Sequence, residues 1–429
     1  MRLCLSKLAV LASIAILALH ATPAPATAAE LLPKADPASL GFSADRLARI
    51  GTRLKADSEA GTIPGAVVLV AREGKIAYFE AVGLQDPQTK AKMTRDSIFR
   101  IYSMTKPIVT VAAMMQVEEG RYHVSDPVAR FIPAFAKVQV GVEKPATEAG
   151  GKPTLELVAP RRAMSIQDLM RHSSGITYGF FGVGAVKALY GDVLKGDPDN
   201  AEFAERIAAL PLAYQPGTVW DYSHSTDILG RVVEVVDKKS LYNSLNDRLL
   251  KPLGMKDTAF YVTDPAKQAR LAEPFPDDRS LGGGVEFYDP RKAGKFEGGG
   301  GGLSGTAMDY ARFLQMLLDG GTQNGRRYLS PKIIGYMTAD HMGSAVTPGP
   351  YFLPGPGYGF GLGFGVRLAN GISADPGSAG DYYWGGAGGT YFWVDPKEKM
   401  FVVFMMQSPK QRLTYRALMR DMVYAAMTR

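Results

Sequence analysis

Ile101-Tyr102-Ser103-Met104-Thr105-Lys106-Pro107 is the stretch on which the reading of this chain turns. A serine is followed three residues later by a lysine, where an apolar helix begins. Residues i and i+3 share a helix face, so Lys106 can lean over Ser103. A serine hydroxyl is a weak nucleophile unless a base is held beside it. A desolvated lysine can serve as that base. Chance alone supplies about one Ser-x-x-Lys in a chain this long, so the pair needs partners elsewhere.

Around that stretch the sequence alternates between two textures. Ser43 can cap a helix carrying Leu47, Ile50 and Leu54 at helical spacing. Residues 66–71 and 76–82 are β-prone runs joined by a glycine-bearing turn, which predicts a hairpin. The helix after Ser103 is apolar all round to Gly120 and is expected deep in the fold. Between 131 and 290 helical patterns alternate with Pro/Gly-rich loops, with helices expected at 165–170, 201–210, 226–236 and 241–249. Glycines cluster at 298–302 before a helix at 307–318. A second hairpin is predicted from 390–394 and 401–406, after an alternating stretch at 358–368. An amphipathic helix at 413–427 closes the chain. Together these predict an α/β fold of the α+β type. One antiparallel sheet is built from both ends of the chain and flanked by the terminal helices (30–130 and 291–429). A mostly helical lobe is inserted at 131–290.

Composition narrows the function classes. The chain has 429 residues, 46% hydrophobic and 21% charged, with a net charge of +7 and no lysine or arginine block. That balance reads as solubility and not as a nucleic-acid footprint. Residues 1–29 read as a secretory signal: Arg2 and Lys7, an apolar run over 8–19, and Ala26-Thr27-Ala28 as a cleavage site. The expected location is periplasmic or secreted, with no stable membrane insertion after cleavage; an uncleaved anchor is the alternative. The only cysteine is Cys4, so the predicted mature chain has no disulfide, thiol nucleophile or cysteine-held zinc. There is no HExxH and the histidines are scattered, so no metal or cofactor is expected. The 298–302 glycines are followed by no lysine and make no phosphate loop.

Three further stretches carry candidate chemistry. Tyr222, in Trp220-Asp221-Tyr222-Ser223-His224-Ser225, precedes a helix and can relay a proton if a cation lies near; a loop aromatic capping the core is the alternative. Trp384-Gly385-Gly386-Ala387 precedes a strand, where a backbone N–H can meet an oxyanion; a flexible loop is the alternative. Arg171-His172-Ser173-Ser174-Gly175 invites a Ser-His pairing, but His172 is read as structural.

Taken in order, these stretches resemble the penicillin-recognising serine enzymes. The closest likeness is to class C β-lactamase-like serine hydrolases, including family VIII carboxylesterases. The likeness also takes in Ile63-Pro64-Gly65-Ala66, Pro216-Gly217, and Gly301-Gly302-Leu303-Ser304-Gly305-Thr306 with Asp309 and Phe313. It implies that Ser103 is the nucleophile and that Lys106 and Tyr222 share the proton work. It also implies an oxyanion hole from the N–H groups of Ser103 and Ala387, and a substrate site at His224, Trp384, Gly385 and Gly386. Trp384-Gly385-Gly386 stands where class C β-lactamases carry Lys-Thr-Gly, and Tyr222-Ser223-His224 stands for Tyr-x-Asn. Those departures argue against efficient β-lactam hydrolysis and for a neutral, apolar group against the tryptophan. No Gly-x-Ser-x-Gly elbow occurs, which argues against an α/β-hydrolase. The expected activity is hydrolysis of carboxylic esters or small amides through an acyl-serine intermediate. The alternatives are a β-lactamase, a D-amino-acid peptidase or transacylase, or a non-catalytic peptidoglycan-binding protein. Phe180, Phe181, Tyr351 and Phe352 are candidates to line the pocket or to pack between lobes.

Overall fold

The computed structural model describes residues 32–144, 154–282 and 284–429. The expected leader over 1–29 lies outside the described residues.

An eight-stranded antiparallel sheet runs Tyr358–Phe360, Gly365–Arg367, Tyr382–Gly385, Tyr391–Asp395, Met400–Met406, Gly65–Arg72, Lys75–Asp86, Ala91–Lys92. The two predicted hairpins meet at its centre, where Val68 faces Phe404 and Val70 faces Val402 across the ladder. The first hairpin turns at Glu73 and Gly74, both with positive φ, which suits the twist of a tight two-residue turn. Successive side chains of the central strands point to opposite faces, and both faces are buried. That is why these strands read as continuous apolar runs.

One face packs on the helices Ala44–Glu59 and Arg412–Ala426. Leu47, Ile50, Leu54, Tyr415, Met419 and Val423 meet Val68, Val70, Val402 and Phe404 there. The Ala44–Glu59 helix starts where the Ser43 side chain accepts from the Arg46 N–H. On the other face of the central strands, Tyr310 of the Ala307–Leu318 helix packs its ring 5.1 Å from that of Phe392.

Residues 131–290 hold the four expected helices with ends shifted by one or two residues, and further short ones that the periodicity does not announce. They include Ile166–Met170, Ala185–Leu189, Asn200–Ala208, Ser225–Asp237, Leu241–Leu245, which runs on into a wider π turn, Asn246–Leu250, and Pro265–Gln268. The segment also contains a ribbon, Val140–Lys144 with Thr154–Val158, that was not foreseen. Its strands are largely exposed, so the alternation that marks a buried strand is missing. The stretch at 358–368 is two short strands and not one. Gly363, at φ +90, turns the chain, and the Leu362 N–H donates to the Met337 carbonyl.

Candidate active site

The chain enters the site from Phe99–Arg100, a short strand paired with Ser304–Gly305. Tyr102 then adopts φ +44, a left-handed conformation uncommon for an aromatic residue, directly before Ser103. Tyr102–Met104 forms one 3-10 turn, and the Thr105–Glu118 helix continues from it. Pro107 fits in its first turn because the N–H it lacks would have no intrahelical partner there. The helix is buried from Thr105 to Gln116, as its uniform apolarity implies.

Lys106 stands on the first turn and is 1% exposed. Its Nζ lies 3.3 Å from Ser103 Oγ, so the spacing-based expectation of a shared face holds. The same ammonium donates to the Gly300 carbonyl at 2.6 Å and bonds Tyr178 Oη at 3.2 Å. It also sits over the Tyr222 ring, 4.5 Å from the centroid. A buried ammonium needs such partners, because desolvation without them costs several kcal/mol.

Tyr222 is held from all sides. Trp220 stacks parallel to it at 6.0 Å, and the rings of His172, Tyr178, Phe181 and Trp384 lie at 4.9, 5.4, 6.1 and 5.5 Å. The indole N–H of Trp384 donates to its hydroxyl at 3.3 Å. Behind it, Asp221 pairs with Lys187 at 3.0 Å through both carboxylate oxygens, both side chains being buried. Lys187 Nζ also donates to the Phe181 carbonyl, tying the aromatic lip to the tyrosine loop. Phe181 stacks against Tyr351 at 5.3 Å, and Phe352 meets Trp220 at 5.0 Å. Of the four loop aromatics named from sequence, Phe181 meets Tyr222 directly, while Tyr351, Phe352 and Phe180 reach it through Phe181, Trp220 and Tyr178.

The Gly386–Gly389 turn closes the opposite wall. A Cβ at Gly386 would lie 2.4 Å from the Ile101 carbonyl, and one at Gly388 2.8 Å from the Tyr102 ring. Only glycine permits that approach, which brings Ala387 alongside the residues leading into Ser103. Arg416 donates to the Gly386 carbonyl at 2.7 Å and occupies the space a Gly385 side chain would need. Among the described residues the Ala387 N–H donates no hydrogen bond.

His172 is 1% exposed, at φ +56, with Nδ1 3.3 Å from Ser223 Oγ and Nε2 without a partner among the described residues. Burial, and then the charge of Lys106, push its pKa well below the usual histidine range, so the imidazole is neutral. It touches Tyr222 and not Ser103, in keeping with a structural part. The loop it belongs to is fixed by Asp168, which accepts from Arg162, Arg171, the Ser165 N–H and Ser173. Burial works to raise the Asp168 pKa, but these bonds outweigh it and hold the carboxyl below its usual value.

His224 lies 4% exposed, its ring between Phe203 and Tyr178, with Nδ1 2.9 Å from Asp227. Its placement is thus beside Lys106's neighbour Tyr178, one layer from Ser103. Two partners of Lys106 escaped the sequence, Tyr178 and the Gly300 carbonyl. Tyr178 carried no spacing signal, and the glycine cluster announced only close backbone approach. Burial, then the charges of Asp227 and Tyr222, raise the Tyr178 pKa well above the usual phenol value, so it stays protonated. Among the described residues no group of three or more His, Cys, Asp or Glu is placed to hold a metal ion.

The serine and buried lysine of one helix turn, the tyrosine of a second stretch and the glycine turn of a third all lie within residues 50–422, which match one family model, Beta-lactamase. The chain belongs to the beta-lactamase family. It is an enzyme of that family's serine hydrolase class, close to the family VIII esterases. Similar proteins include Protein Rv1367c of Mycobacterium tuberculosis (strain ATCC 25618 / H37Rv), 35% identical over 81% of this chain and 87% of the relative. Esterase EstB of Burkholderia gladioli is 29% identical over 84% of this chain and 91% of its own. Among solved structures, EstCE1, a hydrolase with promiscuous acyltransferase activity, superposes with a TM-score of 0.74 at 28% identity. That match covers 90% of this chain and 99% of EstCE1. This beta-lactamase-family chain therefore shares its fold with EstCE1, which is by name a hydrolase.

Proposed function

We propose that the chain is an exported hydrolase of carboxylic esters with neutral, apolar groups, acting through an acyl-serine intermediate. The observation that carries this is the buried Lys106 ammonium, 3.3 Å from Ser103 Oγ and stacked on the Tyr222 face. Ser103 Oγ attacks the ester carbonyl carbon while its proton passes to the Lys106–Tyr222 pair, which must first hold one proton fewer than an ammonium and a phenol together. The tetrahedral oxyanion is met by the N–H groups of Ser103 and Ala387. As the C–O bond breaks, the pair returns the proton to the departing alkoxide. Water then adds to the acyl carbon by the same route and restores Ser103.

The neutral-substrate reading is supported by how the cations near the site are engaged. Lys106 is committed to Gly300, Tyr178 and Ser103, Lys187 to Asp221, and Arg416 to the Gly386 carbonyl. Trp384 offers an apolar wall where a β-lactam carboxylate would need a cation. Esterase EstB is by name an esterase, in accord with this reading. A fluorophosphonate probe should attach to Ser103, and p-nitrophenyl butyrate should turn over in wild type but not in Ser103→Ala. Labelling elsewhere, or equal turnover by the variant, would sink the mechanism. Nitrocefin turnover outpacing ester turnover would sink the substrate class. Recovery of the chain from the periplasm or medium with a new N-terminus near residue 29 would test export.

Transfer of the acyl group to an alcohol is a second outcome that the aromatic, largely water-poor surroundings of Tyr222 favour. EstCE1 is described as having promiscuous acyltransferase activity. Adding a primary alcohol should then divert product from acid to ester.

A further inference from the structure

The glycine cluster at 298–302 wraps a carboxylate. Asp227, in the first turn of the Ser225–Asp237 helix, is 7% exposed. Its Oδ1 accepts the Gly300 N–H at 2.7 Å, and its Oδ2 lies 2.9 Å from His224 Nδ1. A Cβ on Gly300 would stand 2.7 Å from Oδ2, and one on Gly299 2.7 Å from the Thr226 carbonyl. The glycines are therefore needed for this protein's own carboxylate and helix end, not for a phosphate. The carbonyl of the same residue, across the Gly300 Cα in the next peptide group, accepts from Lys106 Nζ at 2.6 Å.

We propose that Asp227 is a positioning residue for Lys106, acting through the backbone of Gly300, with His224 fixing the carboxylate from behind. The charge-assisted bond from the Gly300 N–H to the carboxylate pins the backbone at Gly300, a residue with no side chain to restrain it, and so fixes where its carbonyl points. The carbonyl then holds the ammonium at the distance from Ser103 that proton transfer needs. The helix N-terminus around Asp227 favours its negative charge. His224 and Asp227 are thereby drawn into the machinery without touching substrate. Neither the serine-lysine spacing nor the glycine cluster shows that link.

This deepens the acyl-serine reading and rests on it. The test compares wild type with Asp227→Asn and Asp227→Ser, each checked for folding by near-UV circular dichroism. The first variant keeps the size and an oxygen acceptor for Gly300; the second removes most of the side chain. In Asp227→Asn, kcat for p-nitrophenyl butyrate should fall about 30-fold, near the worth of one charge-assisted hydrogen bond, while KM changes less than about twofold. The rate of fluorophosphonate labelling at Ser103 should fall by a similar factor. Labelling reads Ser103 nucleophilicity directly, so it decides the proposal even if the chain proves not to take esters. Folded variants with wild-type kcat and labelling rate would overturn it. A rise in KM alone would also overturn it, by placing Asp227 in substrate binding. Failure of both variants to fold would assign Asp227 to stability instead and overturn it equally.

Discussion

Two regions of this molecule are equally dry and are held in opposite ways. Between the sheet and the terminal helices, Val68, Val402, Phe404 and Met419 are essentially unexposed, and shape alone fits them together. Around Lys106, burial is as deep, but the groups are lysine, aspartate, tyrosine and histidine. Each is placed by directed bonds from a different stretch of chain. In the first region any residue of similar volume and apolarity is tolerated at modest cost. In the second, geometry is set by single donors and acceptors, so one atom changed is felt. Complete burial therefore says little about function; what a buried group is bonded to says much.

The contrast is broken most severely if a site residue and a core residue behave alike. Tyr222→Phe keeps the ring under the lysine and removes one oxygen, the acceptor of the Trp384 N–H. It should lower kcat about 10³-fold with a melting temperature close to wild type. Activity within about twofold would remove Tyr222 from the mechanism. Phe404→Ala should do the reverse. It should destabilise by about 3–5 kcal/mol in urea unfolding, through a cavity beside Val68 and Tyr415. Its kcat per folded molecule should stay near wild type.

Asp309 sharpens the comparison, being a carboxyl set among the buried residues of the Ala307–Leu318 helix. Burial raises its pKa to about 6, despite bonds from the Asp257 N–H and Thr258 hydroxyl. The folded state therefore holds this proton more tightly than the unfolded chain. Its contribution is favourable below about pH 4 and is lost as pH rises through about 6, a swing of about 3 kcal/mol. The stability of Asp309→Asn relative to wild type should accordingly rise between pH 4.5 and pH 7.5. A pH-independent difference would contradict the raised value. The smallest effect is expected from Trp384→Phe, which keeps the apolar wall and removes one N–H donor to Tyr222. About 1 kcal/mol, or roughly fivefold in kcat, should be lost, with little change in KM for apolar esters.

The hairpins at 65–86 and 391–406 and the helix beginning at Thr105 were readable because side-chain period and turn residues report local backbone directly. The Val140–Lys144 ribbon was not, because its strands are mostly exposed and carry no alternation. Ser103 with Lys106 was readable as a local pair on one helix turn. Tyr178 and Asp227 were not, since each meets Lys106 or its glycine only through contacts across 72 and 73 residues of sequence. The His224–Asp227 spacing of three at a helix start was a signal present in the chain, and its meaning depended on what lay opposite.

By itself the sequence determined the elements whose causes are local. These are the two hairpins, the buried helix with its Ser-x-x-Lys turn, and the glycines that permit backbone to approach backbone. The tertiary structure alone decided which groups converge on Lys106. A buried ammonium is satisfied by whatever acceptors the fold presents, and those come from segments with no sequence period in common. Desolvation makes that convergence obligatory, and only the packed sheet and helices fix which residues supply it.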